Sequence, residues 1–87
     1  MPYSYRLKDS ARRFFERLDR NLQSRIVAKI RALQNNPRPP GSIKLAGGSG
    51  LHRIRVGNYR IVYSVNDPLL NIEVTIIAHR REVYRDL

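Results

Sequence analysis

The stretch Leu51-His52-Arg53-Ile54-Arg55-Val56-Gly57-Asn58-Tyr59-Arg60-Ile61-Val62-Tyr63 decides the fold. It reads as two short strands around a Gly57-Asn58 turn. A two-residue loop sets Val56 opposite Tyr59 and Arg55 opposite Arg60. Like charges directly across a ladder are destabilising, and Arg53 lies on the same face as Arg55. Folding alone gives no reason for that pairing.

Working outward, Asn66-Asp67-Pro68 is a strong turn signal, and residues 71–79 make a third strand beside 59–66. Upstream, Gly47-Gly48-Ser49-Gly50 lacks the Gly-Lys-Ser/Thr ending of a phosphate-binding loop and opens a strand rather than a helix, so it reads as a connector. The chain from Pro37 to Gly50 is loop, apart from Ile43-Lys44-Leu45. Before it, Leu22, Ile26, Ile30 and Leu33 form the stripe of a helix that Pro37 stops. Ala11, Phe14, Phe15 and Leu18 mark an earlier helix, with Asp9 or Ser10 as its cap. Asp19-Arg20-Asn21 separates the two, and the short connection predicts an antiparallel helical hairpin. Residues 3–7 alternate as a first strand. The expected fold is a small α+β domain over residues 1–87: an N-terminal strand, a helical hairpin packed on one face of a mainly antiparallel sheet, and the order β-α-α-β-β-β.

Side chains alternate across a strand, so the sheet can be sorted into faces. Ile54, Val56, Tyr59, Ile61, Tyr63, Val65, Ile72, Val74 and Ile76 make an apolar face for the helices. Arg53, Arg55, Arg60, Val62, Ser64, Thr75, Ile77 and His79 fall on the other. Arg80 alternates back unless the strand ends or bulges. The arginines thus cluster on the side expected to be open. There the coulombic cost of a charge pair ~4 Å apart is about 1 kcal/mol in bulk water, and an anion between them reverses its sign. Exposed arginines also aid solubility and resist edge pairing, but two directly opposed ones do so inefficiently. His52 lies on the apolar face beside Tyr63 and reads as a packing residue, as does Tyr84 on its residue type alone.

Composition agrees. Of 17 basic residues, 14 are arginine, against 7 acidic ones, for a net charge of +10. Such a domain repels itself and suits anionic partners, and arginine's planar donor fork matches phosphate. With no cysteine and only His52 and His79, neither disulfide nor metal site is expected, and no cofactor. MPYSYRLKDSARR has no apolar run of signal-peptide type, no segment nears the roughly 20 apolar residues of a membrane span, and no helix pairs a basic face with an aromatic-rich one. A cytoplasmic protein with no membrane partner is expected.

The ordered block Lys44-Leu45, then Gly50 to Tyr63, then His79-Arg80-Arg81-Glu82-Val83-Tyr84-Arg85 resembles the RelE/ParE toxin superfamily, and its RelE branch in particular, over essentially the whole chain. The resemblance implies a toxin of a bacterial or archaeal toxin–antitoxin pair that enters the ribosomal A site and cleaves messenger RNA without metal, the 2′-hydroxyl attacking the adjacent phosphate. By position, Arg53 and Arg55 match two basic strand residues and Arg60 the arginine on the reacting phosphate. Arg80 matches a proton donor or charge stabiliser, and Tyr84 the tyrosine that stacks on the base. Lys44 and Arg81 join Arg53, Arg55 and Arg60 as RNA-binding candidates. Lysines stand at the Arg53 and Arg55 positions in a well-characterised relative. Arginine keeps its proton at any physiological pH and is a poor base, which leaves His79 as the side chain on this face suited to carrying a proton. The implied partners are an acidic RelB-like antitoxin, the ribosome with its message, and operator DNA reached through the antitoxin. Two alternatives accompany this reading: a ParE-like gyrase poison, whose relatives generally lack the Arg53, Arg55, Arg60, Arg80 and Tyr84 set, and an RNA- or ribosome-binding module without catalysis.

Overall fold

The computed structural model describes residues 2–45 and 50–79. Its elements follow in the order β1 (Ser4–Leu7), α1 (Asp9–Glu16), α2 (Arg20–Asn35), β2 (Ile43–Lys44), β3 (Leu51–Val56), β4 (Tyr59–Asn66) and β5 (Asn71–His79). The five strands form one sheet in the order β1-β5-β4-β3-β2, with β1 parallel to β5 and the other pairs antiparallel. This is the expected α+β arrangement, with β2 as an additional two-residue edge strand.

The helices start for different reasons. Neither Asp9 nor Ser10 caps α1: the cap position is Lys8, without a side-chain bond, and Asp9 lies in the first turn, where a carboxylate favours the positive end of the helix dipole. α1 closes at Glu16 with Arg17 as its C-cap, and two residues on Asp19 caps α2, accepting from the Leu22 N–H at 2.9 Å. Ile26, Ile30 and Leu33 of α2 and Ala11 of α1 meet Ile54, Val56, Ile61, Tyr63, Ile72, Val74 and Ile77 of the sheet in one buried cluster. No described helix is long and apolar enough to cross a membrane.

The hairpin register is the expected one: Arg55 faces Arg60 and Val56 faces Tyr59. The β4–β5 ladder is not regular. Val62 pairs with Ile76, but the next residue, Tyr63, pairs with Val74, leaving Thr75 as an extra residue. Its hydroxyl donates to the Val62 carbonyl at 3.0 Å. One inserted residue reverses the alternation beyond it. Simple alternation therefore misplaces three side chains: Ile77 joins the helix-side core, Ile76 the opposite face, and His79 the helix side.

The arginine face is not fully open either. Val62 and Ala78 are buried there, with Leu45, Leu51 and Ile76 packed against them, as a second small apolar cluster.

Candidate functional site

Arg53, Arg55 and Arg60 are brought together. They line one cleft of about 340 Å³ with Lys29 of α2, Ile54, Ile43 and the Pro39-Pro40-Gly41 turn. β3 and β4 supply the arginines by alternation, and the short β2 leaves room for the cleft. Its two residues pair only with His52 and Arg53, so residues 54–56 lie beyond the end of that pairing.

The arginines differ in environment. Arg55 is exposed and Arg53 half-buried, but Arg60 is only 3 % exposed. The expectation of a solvated arginine pair is corrected for this residue, because the Val62 and Ala78 cluster continues its face. At an effective dielectric of about 20, two like charges ~4 Å apart repel by about 4 kcal/mol, against about 1 in water. Burial thus raises the value of an anion held between Arg55 and Arg60.

The remaining candidates separate. His79 sits edge-on to Tyr59, ring centroids 5.5 Å apart, and Tyr59 in turn contacts Phe14 of α1 at 6.2 Å. It therefore packs on the helix side, and not on the arginine face where simple alternation sets it. Lys44 pairs with His52 and lines a different cleft with Arg38, Ser42 and His52. His52 stacks on Tyr63 at 5.5 Å and 28°; burial, then the charges of Arg38 and Lys44, push its pKa below the ordinary histidine value. Arg80, Arg81 and Tyr84 lie outside the described residues.

Two buried or bridging contacts fix the cleft's outer wall. The Tyr63 hydroxyl, fully buried, donates to the Pro37 carbonyl at 2.7 Å. Arg38 grips both oxygens of Asp67, at 3.3 and 3.0 Å, while the Tyr3 hydroxyl donates to Asp67 at 2.7 Å. Arg38, then Tyr3, hold the Asp67 carboxyl below its ordinary pKa. The start of the loop that follows α2 is thereby tied both to the core, through Pro37, and to the β4–β5 turn, through Arg38.

Lys29 was not foreseen. In the sequence it is one polar residue between Ile26 and Ile30, and nothing there says which flank of α2 borders the sheet edge.

Fold and cleft together define a class: a helical hairpin on a mixed five-stranded sheet, with an arginine-rich cleft at one edge. Residues 5–84 match the family described as ParE toxin of type II toxin-antitoxin system, parDE. The chain is 33% identical over 85 residues to Toxin RelE of Mycobacterium tuberculosis, covering 97% of this chain and 88% of that protein. Among solved structures, the archaeal RelE–RelB complex from Pyrococcus horikoshii contains a chain 27% identical, with a TM-score of 0.81 over 92% of this chain and 97% of that one. A RelB–RelE antitoxin–toxin complex from Methanococcus jannaschii matches at 26% identity and a TM-score of 0.71, over 93% and 96%. The chain belongs to the RelE/ParE superfamily and is a RelE-like toxin of a type II toxin–antitoxin system.

Proposed function

We propose that this chain is a ribosome-dependent endoribonuclease that cuts messenger RNA in the ribosomal A site, without metal. The observation that supports this most is the convergence of Arg53, Arg55 and Arg60 in one cleft, with a buried guanidinium directly across the ladder from an exposed one. In the proposed reaction the 2′-oxygen bonds to the adjacent phosphorus and the bond from phosphorus to the 5′-oxygen breaks. The products are a 2′,3′-cyclic phosphate and a 5′-hydroxyl. The 2′-hydroxyl loses its proton and the departing 5′-oxygen gains one. Arg55 and Arg60 neutralise the charge that builds on the phosphoryl oxygens, which is electrostatic stabilisation rather than base catalysis. The family resemblance adds Arg80 at the leaving oxygen and Tyr84 stacked on the base.

The two archaeal relatives are solved in complexes of RelE with RelB. By likeness, the proposed partner here is an acidic RelB-like antitoxin that covers the basic surface and, by binding the native state alone, stabilises it. Operator DNA is reached through that antitoxin.

The test is to map message 5′ ends on programmed ribosomes. A clean cut in the A-site codon, lost in Arg60→Ala, is the expected result. Stalling without a cut would indicate a binding module instead. The family match carries the ParE name, so gyrase-dependent DNA breaks are scored in parallel; breaks with translation intact would replace the ribonuclease reading by gyrase poisoning.

A further inference from the structure

We infer that the phosphate-binding surface does not stop at the arginine face but continues around the β3 edge to α2, where Lys29 binds a backbone phosphate of the message beside the reacting one. This rests on the ribonuclease reading. Three observations carry it.

The first is the edge itself. β2 pairs with β3 only at His52 and Arg53, so the strand from Ile54 to Val56 lies past the end of β2, next to the cleft. The second is the placement of α2 along that stretch. A Cβ built on Gly57 would lie 3.1 Å from Arg25 Nη2, which puts Arg25 against the hairpin turn. Lys29 is one helical turn further on, on the same stripe, and lines the cleft with Arg53, Arg55 and Arg60. Its azimuth is fixed because Ile26 and Ile30 on either side are buried, at 0% and 1% exposure. The third is charge. Lys29 and Arg25 are both exposed, and neither forms an ion pair among the described residues. Their charge is therefore available to an anion from outside, and the cleft is cationic on both walls.

A single strand lying across this edge meets arginine forks on the sheet side and a compact ammonium on the helix side. The fork suits the oxygens of the reacting phosphate. The ammonium, a point charge on a flexible stem, suits a neighbouring phosphate whose orientation is not fixed. Lys29 is thus a binding residue, equally engaged before and during bond breaking. Losing it should raise KM and leave kcat alone.

The experiment has two arms. Wild type, Lys29→Gln, Lys29→Arg and Arg55→Ala are compared for cleavage on programmed ribosomes. The same proteins, free of antitoxin, are titrated across a salt series with a short RNA carrying a 2′-deoxy sugar at the cleavage position, which binds but is not cut. Lys29→Gln is expected to raise KM about three- to tenfold with kcat within about twofold. It should also flatten the slope of log affinity against log salt by about 0.7, one single-strand phosphate contact. Lys29→Arg should restore both. Unchanged affinity and slope in Lys29→Gln, with Arg55→Ala weakened, would overturn the inference. So would a fall in kcat alone. If wild type makes no cut but the Lys29-dependent slope persists, the ribonuclease reading fails and the phosphate surface stands.

Discussion

The two histidines show what a residue's neighbours decide. His79 packs edge-on against Tyr59, an aromatic contact of a kind worth about 0.5–1.5 kcal/mol. His79→Ala should therefore lower the unfolding free energy from urea titration by that amount and leave the proposed A-site cleavage within about threefold of wild type. Lost cleavage with stability intact would restore a chemical role to the residue. His52 is held below the ordinary histidine pKa, first by burial and then by Arg38 and Lys44. The unfolded chain takes up a proton near pH 6.5, before the folded chain does, so stability falls as pH drops through that value and levels off only below the folded pKa. Urea midpoints measured from pH 7.5 to 5 should decline in wild type and flatten in His52→Phe, which keeps a ring on Tyr63 and removes the titration. Equal slopes in both proteins would place the pH dependence elsewhere.

At the scale of elements, the β3–β4 hairpin rests on its turn. Gly57 has a φ of +58° and sits against the Arg25 guanidinium, which a Cβ would approach to 3.1 Å. Gly57→Ala meets both problems, and the left-handed conformation alone costs a residue with a Cβ about 1–2 kcal/mol. A fall of that size in the unfolding free energy is expected; an unchanged value would show that the turn relaxes to another type. The strands of this hairpin, their register and β5 were all legible, because period-two alternation and a two-residue loop leave little choice. The Thr75 bulge was not. Its cause is how β5 fits β4 in three dimensions, and no local pattern around Val74-Thr75-Ile76 announces it. That single residue accounts for the misplacement of Ile76, Ile77 and His79. The cleft divides along the same line: the common face of Arg53, Arg55 and Arg60 follows from strand parity, whereas the burial of Arg60 and the arrival of Lys29 depend on Val62, Ala78 and α2 packing from elsewhere in the chain.

For the whole molecule, the governing quantity is a net charge of +10 within a body of about 33 × 28 × 25 Å. The Debye length is about 30 Å at 0.01 M salt and about 10 Å at 0.1 M. At the lower value every charge feels every other, and at the higher only near neighbours interact. Self-repulsion opposes the compact state, while pairs such as Arg6–Glu73 at 2.6 Å and Arg38–Asp67 at 3.0 Å work the other way. Those pairs are exposed or half-exposed and contribute little, so repulsion dominates. Raising sodium chloride from 0.01 to 0.3 M should therefore raise the urea midpoint of the free chain. A lowered midpoint would mean that the ion pairs outweigh the net charge. The same screening should weaken the proposed acidic antitoxin. At a ligand concentration 100 times its Kd, such a partner adds about 2.7 kcal/mol, and that increment should shrink as salt rises while the free chain gains. Opposite salt responses of the free and antitoxin-bound protein, read in parallel unfolding series, are the expected signature of a basic surface whose stability is completed by an anionic partner.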